Sequence, residues 1–445
     1  MTPALAWMFA ATLAAAPLVG TELQYTGTVG QVVRDQPVVE KNFTIQAVIT
    51  GDAAQTALLY LLEERGSGGW AWPERFGRLE LPAREDAGLK VLHTFDGNPY
   101  PLPVRSPVFE FADKLEAGAE WTDGRDQYEC QRSREVQGRT VWVVDVSLDR
   151  GRRQTLNVDA ETGLLVSLEE RLFLGRGDPF QMKLTLEGRR TLSADELSKF
   201  TVPATALVAL QRELNRPMQP RMVDLSAEQV QQSQAAIEKI RPQAVGTVWA
   251  KFLDGVDRDL ANQTRRQAGV SGLEQKFVGQ PAALSDLKLA TGGSLPLSDL
   301  RGKTTVLHFW DYNGEKLIEP YGQVGYLDFL HNRRGKLGAK VVGVAVDARL
   351  GDAAQSNAAT RGIRKLREFM NLGFPIVTDD GTLLKQFGDP RALGAELPLW
   401  VVIGHDGKIV HYKVGYYAIK PDEGLRELDA AVVEALKREK ASSAP

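Results

Sequence analysis

Between Glu22 and Gly188, apolar and polar residues follow one another in short runs parted by Gly, Pro and Asp, a pattern that predicts strands joined by turns. Thr140 to Ser147 carries the β-branched and aromatic residues that suit a pleated surface, and Gln154 to Asp159 alternates with period two. Asp159-Ala-Glu-Thr-Gly163 supplies a turn before a further run, Leu164 to Glu169, so sequential antiparallel strands are expected. Leu58 to Arg84 resolves into neither period, and Trp70 and Trp72 follow the loop-like Gly66 to Gly69.

The period changes near Ser193. Ser193-Ala-Asp-Glu196 is a helix start with a capping serine and an acid three positions on, and Leu207, Leu210 and Leu214 follow at helical spacing. Pro217 and Pro220 break that element, and Ser226-Ala-Glu-Gln229 opens another that is expected to run to about Ile240, before Pro242. Trp249, Phe252, Leu253, Val256 and Leu260 mark a third. From Gly279 buried-strand runs alternate with helical ones: Lys303 to Trp310, Lys316 to Arg333, Ala339 to Val346 and Ala359 to Leu372. A hairpin, Leu399 to Ile403 and Ile409 to Val414 about His405-Asp-Gly407, precedes a helix from Pro421 to Lys440. This order predicts an α/β domain with a parallel core and an antiparallel edge, preceded by an antiparallel β domain and a helical connector. The expected boundaries are 1–20, 21–192, 193–278 and 279–445.

The 445 residues exceed what one core usually serves, and the 43% hydrophobic and 25% charged fractions describe a folded protein. A net charge of −3 gives no basic field for nucleic acid. Ala4 to Val19 is apolar and alanine-rich before the first charge at Glu22, so an export signal with a cleavage site near Ala14 to Ala16, or an N-terminal membrane anchor, is expected. Neither Lys nor Arg precedes it. Localisation is then periplasmic or otherwise extracytoplasmic. Two sequons, at Asn42 and Asn262, matter only in a glycosylating pathway. Cys130 is the only cysteine, which removes any disulfide, dithiol pair or Cys-rich zinc site within one chain.

Five C-terminal segments in order resemble a redoxin of the TlpA type, an AhpC/TSA-like branch of the thioredoxin-like superfamily. They are Leu297 to Lys303, Val306 to Trp310, Val341 to Asp347, Phe374 to Asp379, and Leu397-Pro398 with the hairpin after it. The resemblance implies a thioredoxin-like fold, a cis peptide before Pro398, and thiol–disulfide or peroxidase chemistry just after Phe309-Trp310. There the chain reads Asp311-Tyr312-Asn313-Gly314-Glu315-Lys316-Leu317, so Gly314 and Leu317 stand where the family's two cysteines would be. Neither residue can attack a disulfide or a peroxide.

Against that background each sharper reading meets a plainer one. Cys130 could act as a lone thiol, but its flanking acids disfavour a thiolate and an unreactive cysteine is expected. His93, His308, His331, His405 and His411 lack paired ligand spacing, so no metal is expected. Asp311, Glu315 and Glu319 read as helix N-terminal charges, and Arg361, Arg364, Lys365 and Arg367 as a solvated helix face. Trp310 reads as core, whereas Tyr312, Asn313, Leu397 and Pro398 are binding candidates beside the loop. Gln154 to Leu168 weakly resembles sheet repeats of exported lipid- or lipoprotein-carrier proteins. The favoured reading is an exported, redox-inactive binding or scaffold protein with a protein or peptide partner and no cofactor. The alternatives are an oxidoreductase or antioxidant redoxin using Cys130 or partner thiols, and a carrier for an apolar ligand.

Overall fold

The computed structural model describes residues 18–51, 55–83, 88–96, 98–136, 138–216, 224–284, 286–312, 323–417 and 425–442. The chain divides into two compact units, Met1–Leu260 and Ala261–Pro445.

In the N-terminal unit the described residues form twelve strands: β1 (Thr21–Val33), β2 (Gln36–Gly51), β3 (Thr56–Gly66), β4 (Phe76–Leu81), β5 (Lys90–Phe95), β6 (Asn98–Pro103), β7 (Ala119–Asp123), β8 (Asp126–Val136), β9 (Arg139–Ser147), β10 (Arg153–Asp159), β11 (Leu165–Leu174) and β12 (Asp178–Thr191). Ten form one antiparallel sheet in the order β4-β3-β2-β1-β12-β11-β10-β9-β8-β7, and β5 pairs β6 as a separate hairpin. Burial alternates along β11 and β12, as a sheet with one covered face requires. Arg34 and Asp35, both at positive φ, form the tight turn between β1 and β2. The Gly27 backbone leaves room for the Phe43 ring directly across the ladder, where a Cβ would lie 2.1 Å from that ring.

One face of the sheet gathers Leu23, Tyr25, Ile45, Leu58, Leu168 and Leu184 into a core with Trp70, Val91 and Phe109. Against the other face, at Val48, Leu59 and Leu61, pack α1 (Ala194–Leu214), α2 (Ala227–Ala244) and the first half of α3 (Val248–Phe277). Complete capping boxes start α1 at Ser193 and α2 at Ser226. The second helix continues past Pro242 to Ala244, because a proline in a last turn removes a single backbone donor there. The boundary between the units falls inside α3.

A buried charged knot holds the β5–β6 hairpin to this unit. Lys41 and Glu64 are 3.1 Å apart with both side chains fully buried. Glu64 also accepts from the backbone N–H groups of Trp70 (2.7 Å) and Leu92 (2.8 Å), while Lys41 donates to the Gly68 carbonyl (3.0 Å). Beside them His93, fully buried, lies 3.2 Å from the Glu40 carboxylate and edge-on to Phe180.

The C-terminal unit has a mixed five-stranded sheet with flanking helices. After the short pair β13 (Leu287–Lys288) and β14 (Ser294–Leu295) come β15 (Thr305–Asp311), α4 (Val324–Arg334), β16 (Lys340–Val346), α5 (Ser356–Phe369), β17 (Ile376–Asp379), α6 (Thr382–Gln386), β18 (Leu399–Ile403), β19 (Ile409–Val414) and α7 (Arg426–Ser442). The order β17-β16-β15-β18-β19 has its first three strands parallel and the last two antiparallel. Helices α4, α5 and α7 cover the face bearing Trp310 and Trp400, while α6 and the end of α3 cover that of Phe309 and Val401. This arrangement has the thioredoxin-like form.

Candidate functional site

The three parallel strands share one end, and each brings an aspartate there. Asp311 is the last residue of β15, Asp347 follows β16, and Asp379 ends β17. Ligand sites in open α/β sheets lie outside such strand ends, so this is the place to look first.

Most of these carboxylates already have partners. Asp379 accepts from the backbone N–H groups of Leu383 (2.9 Å) and Leu384 (3.0 Å) at the start of α6. Asp347 accepts from the backbone N–H and the guanidinium of Arg349, and Asp389 in the same way from Arg391. Arg391 also reaches Asp311, at a long 3.7 Å. Partial burial of the strand end pushes the Asp311 carboxyl above its ordinary range, Asp347 and Asp389 add to the shift, and Arg391 opposes it. The Asp311 side chain is nevertheless 66% exposed, so solvent screens much of that field. Arg391 is held charged by Asp389 first and by Asp311 more weakly. The result is an ion-paired rim. Among the described residues no group of three or more His, Cys, Asp or Glu is placed to hold a metal ion.

Tyr312 is buried, receives its backbone place from a hydrogen bond to the Val346 carbonyl (2.9 Å), and joins the core of Trp310 and Phe374. Burial pushes its hydroxyl up. The Leu397–Pro398 peptide bond is cis, and the Pro398 carbonyl accepts from Gly415 (2.7 Å). Leu397 is also buried, but with Phe309 and Leu399 in the other core cluster of the sheet, so Tyr312 and Leu397 lie in different clusters. Asn313, Gly314, Glu315, Leu317 and Glu319 lie outside the described residues. Trp310 is core, and His308, beside it on β15, packs its ring 3.9 Å from that of Trp400.

Cys130 is on β8 of the N-terminal unit, opposite Ala119 and Val144, and wholly buried. Burial pushes its thiol up, more than the backbone at Glu116 lowers it. The sequence reading missed Asp347, Arg349, Asp389 and Arg391. Their signal was available: both pairs are Asp-x-Arg, in which the arginine folds back on the aspartate two residues before it.

Residues 278–412 match the AhpC/TSA family. Together with the strand order, this makes the C-terminal unit a thioredoxin-like redoxin domain, and one without a Cys-x-x-Cys motif, since the sole cysteine is Cys130. No curated protein matches the chain. Solved structures similar to it include a candidate thiol:disulfide interchange protein DsbE from Chlorobium tepidum, at 24% identity over 36% of this chain and 97% of that one, TM-score 0.27. Another is a secreted disulfide oxidoreductase of Mycobacterium tuberculosis, at 18% identity over 34% and 94%, TM-score 0.25. A thiol:disulfide interchange protein from a Bacteroides species shares 19% identity over 36% and 90%, TM-score 0.26.

Proposed function

We propose that this chain is an exported binding or scaffold protein in which a redox-inactive redoxin domain serves recognition of a protein or peptide partner. The observation that carries the reading is the state of its sulfur. Dithiol exchange needs an attacking and a resolving thiol, and the chain has one cysteine. A single-thiol route needs an accessible thiolate, whereas Cys130 is wholly buried with its thiol pushed up by burial. The apolar run before Glu22 supports export. A carrier role for the N-terminal sheet has less behind it, because Trp70, Val91, Leu102 and Phe109 already cover its apolar face.

The test is insulin reduction and peroxide turnover by the purified chain beside a Cys130→Ser variant. Both proteins are expected to run at the rate of the blank. Turnover that depends on Cys130 would overturn the reading. A bound apolar ligand in native mass spectra would favour the carrier instead.

A further inference from the structure

Helices α4 and α5 bury one side each in the C-terminal core, through Val324, Leu327 and Leu330 on one and Ile363 and Leu366 on the other. Their outer sides are unusual for a solvated surface. Phe329 is 59% exposed and Phe369 is 72% exposed, and Tyr326 on α4 is exposed as well. Scattered single apolar residues need no explanation, but these two phenyl rings flank one seam. A Cβ on Gly325 would lie 3.6 Å from Met370, and the Asp328 carboxylate accepts from the Gly373 backbone N–H at 2.6 Å. Phe329 follows Asp328 in α4, and Phe369 precedes Met370 at the end of α5, so both rings border that contact.

The charge around them is mostly positive. Across α4 and α5, Arg333, Arg361, Arg364, Lys365 and Arg367 stand against Asp328 and Glu368, five positive against two negative, with Arg334 already paired to Asp429 on α7, in a chain whose net charge is −3. Arg333 lies over the Phe329 ring, 5.8 Å from its centroid, and Lys365 sits one helical turn before Phe369. Exposed rings on two helices, each with a cation over it or one helical turn away, suit a flat, yielding, anionic surface better than a protein pocket.

We propose that the α4–α5 face is a peripheral docking surface for an anionic lipid bilayer, with Phe329 and Phe369 entering the headgroup region and Arg333, Arg361 and Lys365 facing the lipid phosphates. The proposal is independent of whether the redoxin domain is redox-inactive. Basic side chains near such a surface and buried aromatic area add, so the attachment is reversible and weakened by salt.

The test places a nitroxide label on a Phe369→Cys variant of the full chain, with the parent chain as the blank because buried Cys130 is shielded from the reagent. With vesicles of equimolar phosphatidylglycerol and phosphatidylcholine, the label should gain access to oxygen and lose access to a water-soluble nickel complex. The change should be absent on phosphatidylcholine alone and reversed by about 0.5 M NaCl. Adding Phe329→Ser and Lys365→Glu should weaken vesicle partitioning by about tenfold or more. A label that stays water-exposed on saturating anionic vesicles overturns the proposal, even if the chain binds them elsewhere. Spin–spin broadening without lipid would overturn it too, by making a second copy the occupant.

Discussion

Replacing Lys41 by Met tests whether the buried knot of the N-terminal unit is an ion pair in fact as well as in geometry. The substitution keeps the apolar stem and removes the ammonium that lies 3.1 Å from Glu64. Both side chains are fully buried, so the remaining carboxylate has no water to turn to. Removing one partner of a buried pair costs about 3–5 kcal/mol. Glu64 keeps two backbone donors, from Trp70 and Leu92, which places the expected loss near the lower end, about 3 kcal/mol. That is a large share of the roughly 5–15 kcal/mol that stabilises a typical domain. Urea unfolding followed by tryptophan fluorescence reads it, because Trp70 is bonded to the knot through its backbone and through its indole to Lys90. In the double variant with Glu64→Gln the uncompensated charge is gone, and stability should exceed the sum of the single effects by about 1–2 kcal/mol. A loss below about 1 kcal/mol for Lys41→Met, or strictly additive singles, would refute the reasoning.

Protonation and packing each carry a further test. Burial, with Lys41 second, lowers the His93 pKa from 6.5 to about 4, the Glu40 carboxylate 3.2 Å away opposing the shift, so as pH falls the unfolded chain takes up the proton first. Stability from this group is therefore complete above pH 6.5 and is lost toward pH 4, by up to about 3 kcal/mol; urea titrations at several pH values should show this slope, and His93→Phe should flatten it. A Cβ at Gly343 would meet the rings of Trp310 and Phe374 at 2.7 Å, so Gly343→Ala should cost about 1–3 kcal/mol in thermal unfolding. Gly272→Ala on α3, where nothing lies within 4 Å, should instead gain about 0.5–1 kcal/mol, and equal effects at both sites would count against the packing argument.

Where one side of an element faces water, the sequence announced it. The run from Thr140 is β9, and the capping serines Ser193 and Ser226 start helices where their spacing said they would; the run from Gln154 is β10, legible because polar Asn157 and Asp159 keep the alternation although both are buried. Leu58 to Arg84 was unreadable for a physical reason. On β3, Ala57 through Leu62 are all buried, one side by the sheet core and the other by α1–α3, so the alternation that identifies a strand is erased. The rim was harder. Asp347 and Asp389 resemble ordinary loop acids until the strand ends bring them beside Asp311 and Arg391, and no local period reports that meeting. Asp311 itself, read as a helix N-terminal charge, is the last residue of a strand and pairs with Arg391.

The strand order of the large sheet sets a timetable for its synthesis. The first and last strands of that sheet in chain order, β1 and β12, are neighbours in its middle, joined by ladder bonds and by Arg190 on Glu22, 168 residues apart in sequence. On one side β1–β4 and on the other β7–β12 each pair with sequential neighbours, so two half-sheets can form as they emerge. At roughly 5–20 residues per second, the first half, complete at Leu81, must wait about 5–20 s for β12, complete at Thr191, to close the join. During that interval the backbone edge of β1 is open, and a nascent chain presents it to its neighbours on a polysome until β12 covers it.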